Sequence, residues 1–347
     1  MATTFKALTP SDITLTRTLL HEAVPITGSI VSGTYAGEGN IKNYSHGMFQ
    51  SVYDYPYLSS SANHIFDLTV GYSNNSALSG GAKRHNEKKI NTYNHMAQVL
   101  VGFDHTGSVR EFDKDGTLTG GTKIREAFFI NFARLLTKDE IKKGSFTMSL
   151  ATGGLGAAPM FASAKLLSVM DVSASTEYKV NSPAGEYGLL YTGSAAHRPG
   201  TAVGLIYYQA GIAVLTASVF DGNFGAAGAT YDDAKVESVL TGALISSSAD
   251  SLRNRVNKIE FDNTTELNST IYFCRAHHND FNYSSNPTYL TASKLRVKAT
   301  RRDDPVSYIT SVGLYSADNT LMAVAKLSEP LKKTPAIEVT LRCRLDY

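Results

Sequence analysis

The sequence predicts an α+β fold in which strands dominate, with central helices packed on antiparallel sheet and a C-terminal antiparallel β-domain. Three observations point there. After residue 259, apolar and polar residues alternate with the period of two that a half-buried strand requires. Helical spacing is confined to three central segments. Charged residues make up only 18% of the chain, below the roughly 25% of ordinary soluble domains. Ser, Thr and Asn fill the deficit, with 28 Gly and 19 Tyr.

Taken in order, residues 1–85 show no helical periodicity and are rich in Ser, Gly, Asn and Tyr. Tyr53, Tyr55 and Tyr57, interleaved with Asp54 and Pro56 and followed by Ser59, Ser60 and Ser61, predict an extended arm or loop. Residues 65–70 predict a strand. Over 88–101, Ile90, Tyr93, Ala97, Leu100 and Val101 share one helical face, and Gly102 supplies a stop. Asp115-Gly116 predicts a hairpin or irregular loop within 104–121. A second helix is expected over 122–143, from the stripe Ile124, Phe128, Phe132 and Leu135, with Lys142, Lys143 and Gly144 as a basic last turn and stop.

Residues 146–150, 161–172 and 187–192 read as strands, the first two separated by the Gly/Ala-rich 151–158. The uncharged run 201–220 has the length of a bilayer span. Gln209-Ala210-Gly211 interrupts it, however, and predicts two buried strands joined by a tight turn. A third helix is expected over 232–245, with Val236, Val239, Leu240, Ala243 and Leu244 on one face and Asp232 and Asp233 at its start. Beyond 259, Lys294, Arg296 and Lys298 alternate with Leu295, Val297 and Ala299. Ile337, Val339, Leu341, Cys343, Leu345 and Tyr347 share one face, and residues 308–315 and 321–327 form a hairpin around 316–319. The expected division is 1–85, an N-terminal extended arm region; 86–258, a central α+β domain; and 259–347, the C-terminal β-domain.

The 347 residues carry a net charge of only +2, which argues against a chain that wraps nucleic acid or lies on an anionic membrane. Residues 291–347 are locally basic, with ten positive and six negative charges, but no aromatic stacking pattern accompanies them. Strand-edge protection is the simpler reading of those lysines and arginines. At 42% hydrophobic residues the chain is not disordered. Two cysteines make no disulfide framework. Residues 1–10 hold one lysine and no apolar stretch, so no secretory signal is expected.

Chemical motifs are sparse. Gly153-Gly154-Leu155-Gly156 lacks the Gly-Lys-Ser/Thr of a phosphate loop and precedes a strand rather than a helix, so it reads as a turn. Cys274, His277 and His278, with Asp280 beside them, form the densest group of metal-ligand types, but no spaced second pair completes a zinc site. Asp113-Lys114-Asp115-Gly116 opens like a calcium loop without the terminal bidentate Glu. Neither a Gly-x-Ser-x-Gly elbow nor a His-Glu-x-x-His helix is present. No catalytic, cofactor-binding or metal residue is therefore assigned, and no cofactor or small-molecule substrate is expected.

Two blocks, together about a quarter of the chain, carry a family resemblance. Ile309-Thr310-Ser311-Val312-Gly313-Leu314-Tyr315, with residues 321–327 and Pro330, resembles the Gly-Leu-Tyr, turn, Leu-Ala-Val hairpin of tailed-phage tail-fibre and baseplate proteins. Residues 126–144 (EAFFINFARLLTKDEIKKG) are similar to structural proteins of large contractile-tailed phages, particularly those of marine cyanobacteria. The resemblance implies a non-enzymatic virion component of tail or baseplate type, assembled in the host cytoplasm, whose partners are copies of itself and other virion proteins. A head, neck or capsid-decoration protein is the nearest alternative, and a glycan-acting hydrolase a more distant one. The chain has no collagen-like or heptad shaft, so a complete fibre is not expected. The contact elements expected from this reading are the arm around residues 53–57, the loop 277–289 and the hairpin 308–327.

Overall fold

The computed structural model describes residues 5–33, 39–80, 84–151, 166–193, 201–220, 240, 244–284, 287–291, 294–296, 298 and 300–347. Strands dominate them, with a large antiparallel sheet and few helices. The chain divides into two compact units, Leu20–Thr265 and Met1–Leu19 with Glu266–Tyr347. Two long strands, β1 (Ile13–Thr27) and β14 (Val256–Ala276), supply residues to both.

In the larger unit the elements after β1 are α1 (Gly28–Ser32), β2 (Ile41–Asn43), β3 (Gln50–Tyr53), β4 (His64–Tyr72), α2 (Arg84–Leu100), β5 (Phe112–Asp113) and β6 (Lys123–Ile124). Then come β7 (Glu126–Phe132), α3 (Arg134–Thr137), β8 (Glu140–Ile141), β9 (Thr147–Ala151), β10 (Leu166–Met170), β11 (Tyr187–Thr192), β12 (Gly204–Tyr207), β13 (Ile212–Thr216) and α4 (Ile245–Arg253). Hydrogen-bonded neighbours run β14-β9-β10-β11-β12-β13-β7-β4-β3-β2, each pair antiparallel.

Successive residues of a strand point to opposite faces, and here both faces are apolar. Phe128, Ile130 and Phe132 of β7 enter one buried cluster while Ala127 and Phe129 enter another. Neighbouring strands repeat this: Leu190, Ile206 and Leu215 belong to the first cluster, Leu189, Leu205 and Val214 to the second. Ile245, Ala249 and Leu252 of α4 add to the first, and Tyr93, Ala97 and Leu100 of α2 to the second. Gly71 lets α2 come close, since a Cβ there would lie 2.7 Å from the Lys89 carbonyl oxygen and 2.8 Å from the Tyr93 nitrogen.

The helix expected over 122–143 is not formed. That stretch is β6, β7, the single turn α3 and β8. Ile124, Phe128 and Phe132 do match a helical stripe, but Ala127, Phe129 and Ile130 between them are equally apolar. A run that is apolar all round fits a strand covered on both faces as well as it fits a helix. Pairing β7 between β4 and β13 buries Phe128 and Phe129 completely, which a surface helix would not do. The arm reading is also corrected in part: Tyr53 ends β3, which pairs with β2 on one side and β4 on the other.

Other expectations hold. The strand at 65–70 is β4, the helix at 88–101 is α2, residues 187–192 are β11, and residues 201–220 fold as the antiparallel pair β12–β13. No helix among the described residues is long and apolar enough to cross a membrane. The Gly-rich 153–156, residues 161–165, most of the expected helix 232–245 and the side chains of Leu295, Val297 and Ala299 lie outside the described residues.

The smaller unit is built of strands: the outer parts of β1 and β14, the short pair β15 (Leu290–Thr291) and β16 (Lys294–Leu295), then β17 (Ser307–Tyr315), β18 (Leu321–Lys333) and β19 (Val339–Asp346). β19 pairs with β14 from Ser269↔Asp346 to Ala276↔Val339. β17 and β18 form a two-stranded ribbon of their own, closed by a turn at Asn319, whose φ is +59°.

Candidate interaction surface

Among the described residues, those singled out for chemistry are engaged in ordinary structural contacts. Cys274 sits opposite Leu341 and Cys343 opposite Tyr272, so the two cysteines are diagonal neighbours across β14 and β19. Both thiols are free and interact with each other across the two strands. Burial, then the neighbouring Cys343, pushes the Cys274 thiol up to about 11, where it stays protonated and is a poor metal ligand or nucleophile. His277 and His278 instead converge on Glu338, with Nδ1 to Oε1 distances of 3.6 and 3.3 Å. The hydrogen bond from His278 holds the Glu338 carboxyl below the usual range. Asp280 is taken by Lys6 at 2.5 Å. Among the described residues no group of three or more His, Cys, Asp or Glu is arranged to hold a metal ion.

The calcium-like stretch is turn chemistry. Asp113 is buried and paired with Lys123 at 2.6 Å, while Asp115 accepts the Thr117 amide at 2.9 Å and its hydroxyl at 2.8 Å. Every carboxylate in that loop thus has a protein donor.

Sequence reasoning missed several buried polar groups, because their partners come from distant segments. Asp171 accepts the amides of Gly144 and Phe146 at 2.8 and 2.9 Å and the Tyr208 hydroxyl at 2.9 Å. Burial raises its pKa against those hydrogen bonds. It is this carboxylate, rather than a helix end, that organises the Lys142–Gly144 turn. Lys89 is buried, donates to the Leu240 carbonyl and is drawn down to about 8 by desolvation. Ser51, Asp67 and His64 also meet, but in an order unsuited to nucleophilic catalysis. Asp67 Oδ1 receives both Ser51 Oγ at 2.5 Å and His64 Nε2 at 2.9 Å. A serine nucleophile needs the imidazole between hydroxyl and carboxylate; here the carboxylate stands between, so the serine proton is not held by the histidine.

What distinguishes the molecule is the surface of the smaller unit. Both buried apolar clusters consist entirely of residues of the larger unit. Among the described residues of the smaller unit, Ile271 and Ala276 are the only buried hydrophobic residues. It nevertheless holds seventeen of the twenty-seven large hydrophobic side chains that the described residues expose. On the β17–β18 ribbon these are Tyr308, Tyr315, Leu321, Met322, Val324 and Leu331, with Met322 71% exposed. An isolated hairpin is marginal in water, so these exposed side chains make the ribbon the candidate interaction surface.

Polar contacts hold the unit in shape. Asp12 pairs with Arg275 at 2.9 Å and accepts the Thr9 hydroxyl at 2.6 Å. Asp346 accepts from Ser269 at 2.5 Å and from Arg344 at 2.6 Å. Lys333, fully buried, donates to the His278 carbonyl at 3.2 Å, the Asn282 side-chain oxygen at 2.9 Å and the Thr334 carbonyl at 3.0 Å. All three ammonium donors are therefore used, and the loop after β14 is fastened to the end of β18. Of the three expected contact elements, the hairpin is the most exposed. The loop 277–289 presents Phe281 and Tyr283, and the segment 53–57 presents Tyr55.

Comparison with known proteins identifies no relative: no family model, no curated protein and no solved structure matches the chain.

Proposed function

We propose that this chain is a non-enzymatic structural component of a phage virion, assembling through protein–protein contacts in the tail or baseplate. One observation carries the assembly part of the reading. Among the described residues, a unit of sheet with only two buried hydrophobic residues holds seventeen of the twenty-seven large hydrophobic side chains that are exposed. Burial of apolar surface is the main favourable term in folding and in association alike, so a surface of this kind is completed by neighbouring chains. The low charge density supports the same reading, because uncharged polar groups cost less to bury than ions. The virion assignment rests on the resemblance of residues 126–144 and 309–330 to structural proteins of contractile-tailed phages. Its partners are copies of itself and other virion proteins, its compartment the virion after assembly in the host cytoplasm. In fold terms it is an α+β protein with helices packed on antiparallel sheet and a C-terminal β-domain.

Native mass spectrometry of the purified chain, with imaging of the intact particle, tests this. A ring of copies on the tail is expected. Copies scaled to a shell lattice would move the chain to the head, neck or capsid surface. A stable monomer absent from any particle would overturn the reading.

A further inference from the structure

The two edges of the β17–β18 ribbon differ in a way that selects a partner. β18 is guarded: it carries Lys326, Glu329 and Lys332, and Pro330 cannot donate a backbone hydrogen bond. Its ladder is also broken. Ile309 pairs with Leu331 and Ser311 with Lys326, so residues 327–330 bulge opposite Thr310 alone. β17 has none of these devices. Its nine residues, Ser-Tyr-Ile-Thr-Ser-Val-Gly-Leu-Tyr, include no charge and no proline, and among the described residues no strand other than β18 pairs with it. Such an edge leaves alternate N–H and C=O groups open to another strand.

We propose that β17 adds in antiparallel fashion to β17 of a second copy of this chain, about a local two-fold axis at Ser311. This rests on the assembly reading above and specifies its contact. The strand is self-complementary about that centre. Thr310 faces Val312 of the second copy, Tyr308 faces Leu314, and Ile309 faces Gly313, over which Tyr315 and Leu321 of the same ribbon lie and supply the apolar surface that Ile309 meets. An aromatic or β-branched residue beside an aliphatic one is a favourable cross-strand pair. With no charged residue on either strand, no like charges meet. The alternative of β17 adding to β18 of the second copy meets the bulge, Pro330 and the lysines Lys326 and Lys332. Because the same patch serves both partners, this contact by itself closes as a two-fold pair, and a ring of copies is built by joining such pairs through the other exposed surfaces of the unit.

Cross-linking tests the register directly. In an antiparallel pair a self-opposed residue lies about 4.5–5.5 Å from its mate at Cα, inside the disulfide range of about 4.4–6.8 Å. Ser311→Cys is placed in a full-length Cys274→Ser, Cys343→Ser background, with Lys326→Cys in the same background as the β18 control. Mild oxidation is expected to give a covalent dimer of Ser311→Cys and little of Lys326→Cys. Ser311→Lys, which sets two like charges face to face, is expected to weaken association at least about tenfold while leaving the circular dichroism spectrum unchanged. An oligomer that forms without a Ser311→Cys dimer, or with equal cross-linking from β18, overturns the β17 contact and leaves the assembly reading standing. A chain that is monomeric at every concentration overturns both.

Discussion

The two units are made of the same kind of strand and differ in what covers them. In the larger one, each face of the central sheet meets its own apolar cluster, so Phe128 and Phe129, adjacent in sequence, are both fully buried on opposite sides. In the smaller one, Val324 and Met322 lie on the ribbon at 55% and 71% exposure. Alternation in a sequence therefore specifies pairing, whereas the origin of the covering layer, whether from the same chain or another, is a separate matter. The larger unit covers its sheet from within, whereas the smaller one leaves its apolar side chains exposed, which is why we propose that association covers them.

Substitutions sharpen that contrast, and the largest effect is expected in the larger unit. Phe132→Ala removes a ring that packs against Phe66, Phe146 and Phe261 and should cost about 3–5 kcal/mol, read as a lower midpoint in denaturant. Asp171→Ala leaves the buried Phe146 amide and Tyr208 hydroxyl, and the more exposed Gly144 amide, without their acceptor, for about 2–4 kcal/mol. Lys333→Met empties three acceptors in the smaller unit and should cost about 1–3 kcal/mol. Its clearest sign would be faster amide exchange in residues 277–284.

A smaller effect follows pH. The hydrogen bond to Asp67 raises the His64 pKa above its ordinary value of 6.5. The folded state thus holds the proton more tightly than the unfolded chain. The stabilisation is fully present below about pH 6.5 and is lost as pH rises through the higher folded value. For a half-buried pair of this kind it amounts to about 0.2–1 kcal/mol. His64→Gln should flatten the melting temperature between pH 5.5 and 8; an unchanged slope would remove the pair from the account. Smallest of all is Met322→Ala, expected to change the stability of a lone chain by less than about 0.5 kcal/mol. Equal losses from Met322→Ala and Phe132→Ala in the monomer would erase the difference between the units.

Local pattern carried the sequence reading where one strand segment sufficed. Gln209-Ala210-Gly211 marked the β12–β13 turn, and Val339, Leu341, Cys343 and Leu345 gave the alternation of β19. It failed at β7, where Phe128 and Phe132 suit a helix and a doubly covered strand equally, and only β4 and β13 decide between them. It also failed at the buried anchors. Nothing near Asp171 announces that Gly144, Phe146 and Tyr208 will converge on it, nor does anything near Lys333 announce His278 and Asn282. The hairpin 308–327 was legible as a hairpin. Its two unequal edges were written there too, in the lysines and proline of β18 and the neutral run of β17, but they acquire meaning only once the pairing shows which edge is left open.

Hydrogen exchange across a concentration series tests most directly whether the smaller unit is completed by association. In the dilute monomer, amides of Ser307–Tyr315 and Leu321–Lys333 should exchange quickly while those of Glu126–Phe132 stay protected. As copies associate, the ribbon amides should gain protection and those of β7 should not change. Ribbon amides as protected as β7 in a chain whose mass is that of a monomer would contradict the account.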